Sequence, residues 1–163
     1  MHITTREYSD SDKRELLRCI QNLQQHIVDV DPLKRSIVPD GYSESYTGKL
    51  LKAVAEKDGK IYFAEIDGEI TGFIAGSISP EQPGGTLESI PAKTAWVRDL
   101  YVHEKFRKQG VGSFLMDILE EYFRSKECKV ILLNIFAPNT DSHKFYEALG
   151  YADRDITMIK ELN

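Results

Sequence analysis

The chain has 163 residues, 41% of them hydrophobic and 29% charged, which is one domain's worth of ordinary globular composition and excludes a disordered protein. Its 21 basic against 26 acidic residues leave a formal charge of −5, a poor balance for general nucleic-acid binding, which needs surplus Lys and Arg. No apolar run approaches the ~18 residues of a membrane helix and the N-terminus lacks a signal-peptide core, so a cytoplasmic single domain over 1–163, with no nucleic-acid or membrane partner, is expected.

His2 to Glu7 alternates as an edge-like first strand, and Ser9-Asp10-Ser11-Asp12 supplies N-cap candidates for a helix. In that helix Leu16, Leu17, Ile20, Leu23 and Ile27 keep helical spacing until Asp31-Pro32 ends it. A weaker helix follows from about Ser45 to Glu56, with Leu50, Leu51 and Val54 inward. Lys60–Ile66 and Ile70–Ile78 flank Asp67-Gly68, a pair that tolerates the positive φ of a two-residue hairpin turn. Residues 79–93 form a long Pro/Gly loop, and Thr94 to His103 reads as a central strand.

From Gly110 onward, Val111, Phe114, Leu115, Ile118, Leu119, Tyr122 and Phe123 form an apolar stripe for one face of a sheet. Lys129–Phe136 reads as a buried strand, Thr140 to Leu149 as a short helix stopped by Gly150, and Tyr151 to Leu162 as one or two closing strands. The fold class is therefore α/β (α+β). A mostly antiparallel mixed sheet is flanked by helices and holds one right-handed parallel crossover over 94–136.

Chemistry concentrates in Tyr101–Gly112, where a strand end passes through a basic, Gly-containing turn into the best helix of the chain. Lys105, Arg107 and Lys108 stand against a single acid, Glu104, in a chain that is negative overall. A helix N-terminus presents unpaired N–H groups and a partial positive charge, which suits a phosphorylated ligand. Gly110 and Gly112 would let a diphosphate approach the backbone. Leu115 stands where a dinucleotide fingerprint needs a third Gly, and the Gly-Lys-Ser/Thr of a Walker A loop is absent. The plain structural alternative is a Gly turn with solvated lysines.

Arg107-x-x-Gly110-x-Gly112 matches a Gln/Arg-x-x-Gly-x-Gly/Ala signature. Val97-Arg-Asp-Leu-Tyr-Val102 is similar to a central strand, and Asn139 with Phe145-Tyr-Glu-Ala-Leu-Gly-Tyr151 to an Asn…FYxxxGF segment. Through these motifs and the order of its elements, the chain resembles the GNAT (GCN5-related) N-acetyltransferase superfamily. The resemblance implies acetyl-CoA as cosubstrate and direct acetyl transfer to a primary amine: a small molecule, a polyamine, or a lysine or N-terminal amine. It implies cofactor contacts from Leu100, Tyr101, Val102, Arg107, Lys108, Gln109, Gly110, Val111, Gly112, Asn139 and Tyr146. Pantetheine would pair with Leu100 and Val102 where strands 96–103 and 129–136 splay. Tyr146 would be the acid that protonates the leaving thiolate, a phenol being protonated at neutral pH. Its alternative is an aromatic packing the last helix, and that of Asn139 is a helix N-cap.

The general base does not carry over, because Arg98 stands where some relatives have Glu. Asp99 is the nearest carboxylate and the candidate base, or else a partner of Arg98; Glu65, Glu88 or a water chain are the other options. His103 is the histidine placed for cofactor contact, unless it is a solvated loop residue, and Trp96 packs the core or rims the acceptor site. Asp29, Asp31, Asp40 and Glu44 could recognise a cationic amine or form a solvated face. Cys19 and Cys128 stand 109 positions apart without a CxxC, so reduced thiols and no metal are expected. Relatives often dimerise, so a homodimer is an expectation. The rival function is a non-catalytic acyl-CoA-binding sensor.

Overall fold

A computed structural model describes residues 2–79 and 90–162. Its strands are β1 (Thr4–Glu7), β2 (Lys60–Ile66), β3 (Glu69–Ser79), β4 (Thr94–Val102) and β5 (Val130–Leu132). The helices are α1 (Lys13–Val30), α2 (Tyr42–Glu56), α3 (Val111–Ser125) and α4 (Thr140–Ala148). The sheet order is β1-β2-β3-β4-β5; every pairing is antiparallel except β4 with β5. The β2–β3 hairpin turns through Asp67 (φ 51°) and Gly68 (φ 78°), the positive-φ pair expected of that dipeptide.

Two apolar layers hold the sheet. On one face Leu16, Cys19 and Ile20 of α1 and Leu50 of α2 pack on Phe63, Phe73 and Tyr101. On the other, Leu115, Leu119 and Phe123 of α3 pack on Ile74, Ile78 and Val97, with Phe145 and Tyr146 of α4 at the margin. Gly76 makes that second layer close-fitting, because a Cβ there would lie 2.5 Å from the Phe123 ring.

The β3–β4 register pairs Ala75 with Asp99 but Gly76 with Val97, so Arg98 is the extra residue of a β-bulge. The bulge resets the pleat. Ala95 and Val97 face α3, yet two residues after Val97 the Asp99 side chain faces α2, where Tyr46 meets it.

Two expected strands differ. Of 129–136 only Val130–Leu132 is strand, and it is an edge rather than buried, with Val130 37% exposed. Its pairing stops at Trp96↔Leu132 although β4 runs on to Val102, so the chain leaves the β4 edge after Leu132. The closing strands over 151–162 are absent. Ile156, Met158, Ile159 and Leu162 keep no strict alternation and are exposed, so the segment lacks the single apolar face that a strand would bury. The second helix begins at Tyr42, after Gly41 in the left-handed region (φ 72°), three residues before the expected start. Among the described residues, no helix is long and apolar enough to cross a membrane.

Candidate active site

The turn between β4 and α3 is shaped by its backbone. One 3₁₀ turn (Glu104–Phe106) leads to Lys108 at φ 59° and Gly110 at φ 86°. The positive φ values at Lys108 and Gly110 turn the backbone sharply on either side of Gln109. Among the described residues, the N–H groups of Lys108, Gln109 and Gly110 have no backbone acceptor, and those of the first turn of α3 have none within the helix. No acidic side chain occupies that first turn. A row of about six donors therefore opens at the positive end of a 15-residue helix.

Side chains brace this cradle rather than fill it. Arg107 donates from Nε to the Val102 carbonyl (3.1 Å) and lies 3.7 Å from Glu104, and Gln109 donates to the Lys105 carbonyl (2.7 Å). Gly110 has nothing within 4 Å of an added Cβ, so conformation is its requirement. Gly112 serves packing, because a Cβ would come 3.2 Å from the Phe145 ring of α4. The sequence reading gave both glycines the same purpose; the fold divides it.

Beside the cradle, β4 and β5 part after Leu132, leaving the β5-side edge of Val97–Val102 without a strand partner. Leu100 and Val102 turn partly buried side chains toward the α3 layer, and Val111 is buried in it. Tyr146, from α4, packs edge-on against Phe145 (5.1 Å) and Tyr151 (5.8 Å). Burial, and then the Asp99 charge, push its phenol up to about 12. Asp99 is 8% exposed and is raised to about 6 by desolvation, against which the Tyr46 hydroxyl donates at 2.9 and 3.2 Å to its two oxygens. Tyr46 stacks on Tyr42 with ring centroids 5.6 Å apart. The raised Asp99 carboxyl and the raised Tyr146 phenol thus lie near enough for the charge of one to act on the other.

Arg98 does not pair with Asp99. Its guanidinium donates to Ser77 Oγ (2.8 Å) and lies over the Trp96 ring (5.6 Å). Asn139 caps α4, its Oδ1 accepting the Ser142 amide at 3.3 Å, which bears out the capping alternative. Glu65 is committed to Arg6 (2.6 Å) toward the β1 edge, and Glu88 lies outside the described residues, as do positions 80–89 of the expected loop. Asp31 is structural: its carboxylate accepts the amides of Leu33, Arg35 and Ser36, and the Ser36 side chain first, then these amides, lower its pKa to about 2. Asp29 accepts from Gln25 and Glu44 from Ser43, and among the described residues no three of these four acids gather within ligating distance of one another.

Tyr42 and Tyr46 are the contributors that sequence reading missed. Their i, i+4 spacing at the start of α2 was the available signal. His103 faces α1 rather than the cradle, and it lines a pocket of about 410 Å³ with Asn22, His26, Tyr101 and Arg107.

The family model described as "Acetyltransferase (GNAT) family" matches residues 26–151. An uncharacterized N-acetyltransferase of Methanocaldococcus jannaschii is 32% identical over 96 residues, 58% of this chain and 54% of that protein. The chain spans about half the length of the curated relatives of similar standing. Among solved structures, a mutant Bacillus halodurans protein superposes with TM-score 0.80 at 22% identity, covering 98% of this chain and 99% of that one. The aminoglycoside N-acetyltransferase AAC(6')-Iy in complex with CoA does so with TM-score 0.71 at 20% identity, covering 99% and 95%.

Proposed function

This chain belongs to the acetyltransferase (GNAT) family, and from that premise we propose that it transfers acetyl from acetyl-CoA to a primary amine inside a ternary complex. The observation that carries the proposal is the juxtaposition of the amide cradle at 108–113 with the unpaired edge of β4. The cradle suits a diphosphate, and the edge suits an amide-bearing arm that adds as a strand would. Arg107 supports this by bracing the Val102 end of the strand, and Lys108 by its positive charge. The remaining contacts are assigned to Leu100, Tyr101, Val102, Gln109, Val111 and the Asn139 amide nitrogen.

In this reading Asp99 is the base. With a pKa of about 6 it is mostly ionised at neutral pH, and it accepts a proton as the amine nitrogen bonds to the thioester carbon. The C–S bond then breaks, Tyr146 gives the departing sulfur its proton, and the proton taken up by Asp99 is passed on, through solvent, to restore the phenol. Protonation of Asp99 removes the negative charge that helps to hold the phenol high, so the base step makes Tyr146 a better acid. Tyr42, Tyr46 and Trp96 would border an acceptor approaching from the α2 face, opposite the α3 layer. Two unpaired cysteines suit the cytoplasm. The test is a panel of small amines, polyamines, and lysine and N-terminal peptides, scored for thiol release from acetyl-CoA. Release with at least one acceptor is expected, whereas binding without release on any amine would leave only a sensor.

A further inference from the structure

We propose that Glu15, Cys19 and His103 form a binding site for a zinc-class transition-metal ion that ties α1 to the end of β4. Cys19 and His103 share no motif in the sequence, yet the fold assembles a cluster from positions 84 and 88 residues apart. Glu15 and Cys19 are i, i+4 neighbours on the inward face of α1. His103 is held just past β4 by its own N–H, which donates to the Thr71 carbonyl (2.9 Å). Its ring stands edge-on to Tyr101, with centroids 5.0 Å apart, and Nδ1 lies 3.4 Å from the Tyr101 hydroxyl. A partner on the second nitrogen is what fixes a ligating imidazole in orientation. Here it turns Nε2 toward α1.

The three donor atoms make a specific triangle. Glu15 Oε1 lies 3.3 Å from His103 Nε2 and 3.6 Å from Cys19 Sγ, which is 3.8 Å from Nε2. Without an ion these contacts are long hydrogen bonds, the Cys19 thiol donating to Glu15 Oε1. A tetrahedral ion with bonds of about 2.0–2.3 Å to N, O and S would separate its ligands by about 3.3–3.6 Å. The 3.3 and 3.6 Å edges fall in that range, and the 3.8 Å sulfur–nitrogen edge reaches it with a shift of about 0.2 Å. One thiol, one imidazole and one carboxylate select a borderline-soft ion and disfavour magnesium or calcium, which take oxygen ligands. Arg18 also reaches Oε1, at 2.9 Å, but its side chain is 61% exposed and an i, i+3 surface pair of this kind is weak. The ion would take Oε1 and leave Arg18 the other oxygen. His103 also lines the pocket with Asn22 and His26, and a water would supply the fourth ligand.

Chelator-stripped full-length protein titrated with Zn²⁺ is expected to bind one equivalent and, at a hundredfold excess over Kd, to gain roughly 5–10 °C in Tm. Co²⁺ in its place is expected to show a thiolate-to-cobalt absorption band in the near ultraviolet. Cys19→Ser and His103→Gln should abolish the band and the one-equivalent binding, while Cys128→Ser keeps both. Glu15→Gln, on a half-exposed helix position, serves if either core variant fails to fold, and should weaken binding at least tenfold. Zinc retained equally by Cys19→Ser, or no zinc bound by the unaltered protein, would overturn the site. Neither readout depends on acetyl transfer.

Discussion

Replacing Asp99 with Asn should abolish turnover and stabilise the protein at neutral pH, a pairing that separates a strained catalytic group from a structural one. The carboxyl is raised from 3.8 to about 6 because burial penalises its charge more than Tyr46 and Arg98 relieve it. The unfolded chain therefore releases the proton more readily than the folded one, and stability falls as pH rises through the window between the two values. Two pKa units correspond to about 3 kcal/mol at pH 7, about half of that at pH 5, and almost nothing near pH 3.5. The near-isosteric amide removes the charge, although it weakens the bond from Tyr46 by about 1 kcal/mol. A net gain of roughly 2 kcal/mol, or about 4–8 °C in Tm, is expected at pH 7. Paired melting curves of the two proteins at pH 7 and pH 4, beside a thiol-release assay, measure it. A less stable variant at pH 7, or one with unaltered turnover, would refute the reasoning.

Tyr146→Phe should lower kcat by about 10²–10⁴ and leave coenzyme A affinity within a few-fold, since only the proton donor is lost; an unchanged kcat removes its role. Tyr46→Phe takes away a bond that lowers the Asp99 pKa, so the acidic limb of the kcat/KM profile should move to higher pH. A limb that stays in place would detach Asp99 from catalysis. Gly112→Val places a branched side chain against the Phe145 ring, where even a Cβ comes within 3.2 Å. It should cost about 1–3 kcal/mol in chemical denaturation, and stability within experimental error would contradict the packing role.

The sequence carried most of the fold because its signals were local: the Asp67-Gly68 turn, the stripe of α3 and the apolar run of β4. It failed where the outcome depended on a partner. Val130–Leu132 stops pairing although β4 continues to Val102, and Ile156 to Leu162 stays exposed outside the sheet. The Arg98 bulge was hidden for a related reason, since only the register against Ala75 and Gly76 reveals that Asp99 turns toward α2. The cradle was legible through Gly110 and the helix that follows it. The meeting of Cys19 with His103 was not, because no spacing rule links a helix to a strand end 84 positions later.

Calorimetric titration with coenzyme A, on the unaltered protein and on Gly110→Val, addresses the cradle most directly. The φ of 86° at Gly110 is forbidding to a β-branched residue, so one-to-one binding should be seen in the first and fall at least tenfold in the second. Equal heats from both proteins, or none from either, would contradict the assignment of the Lys108–Gly112 amides to the diphosphate.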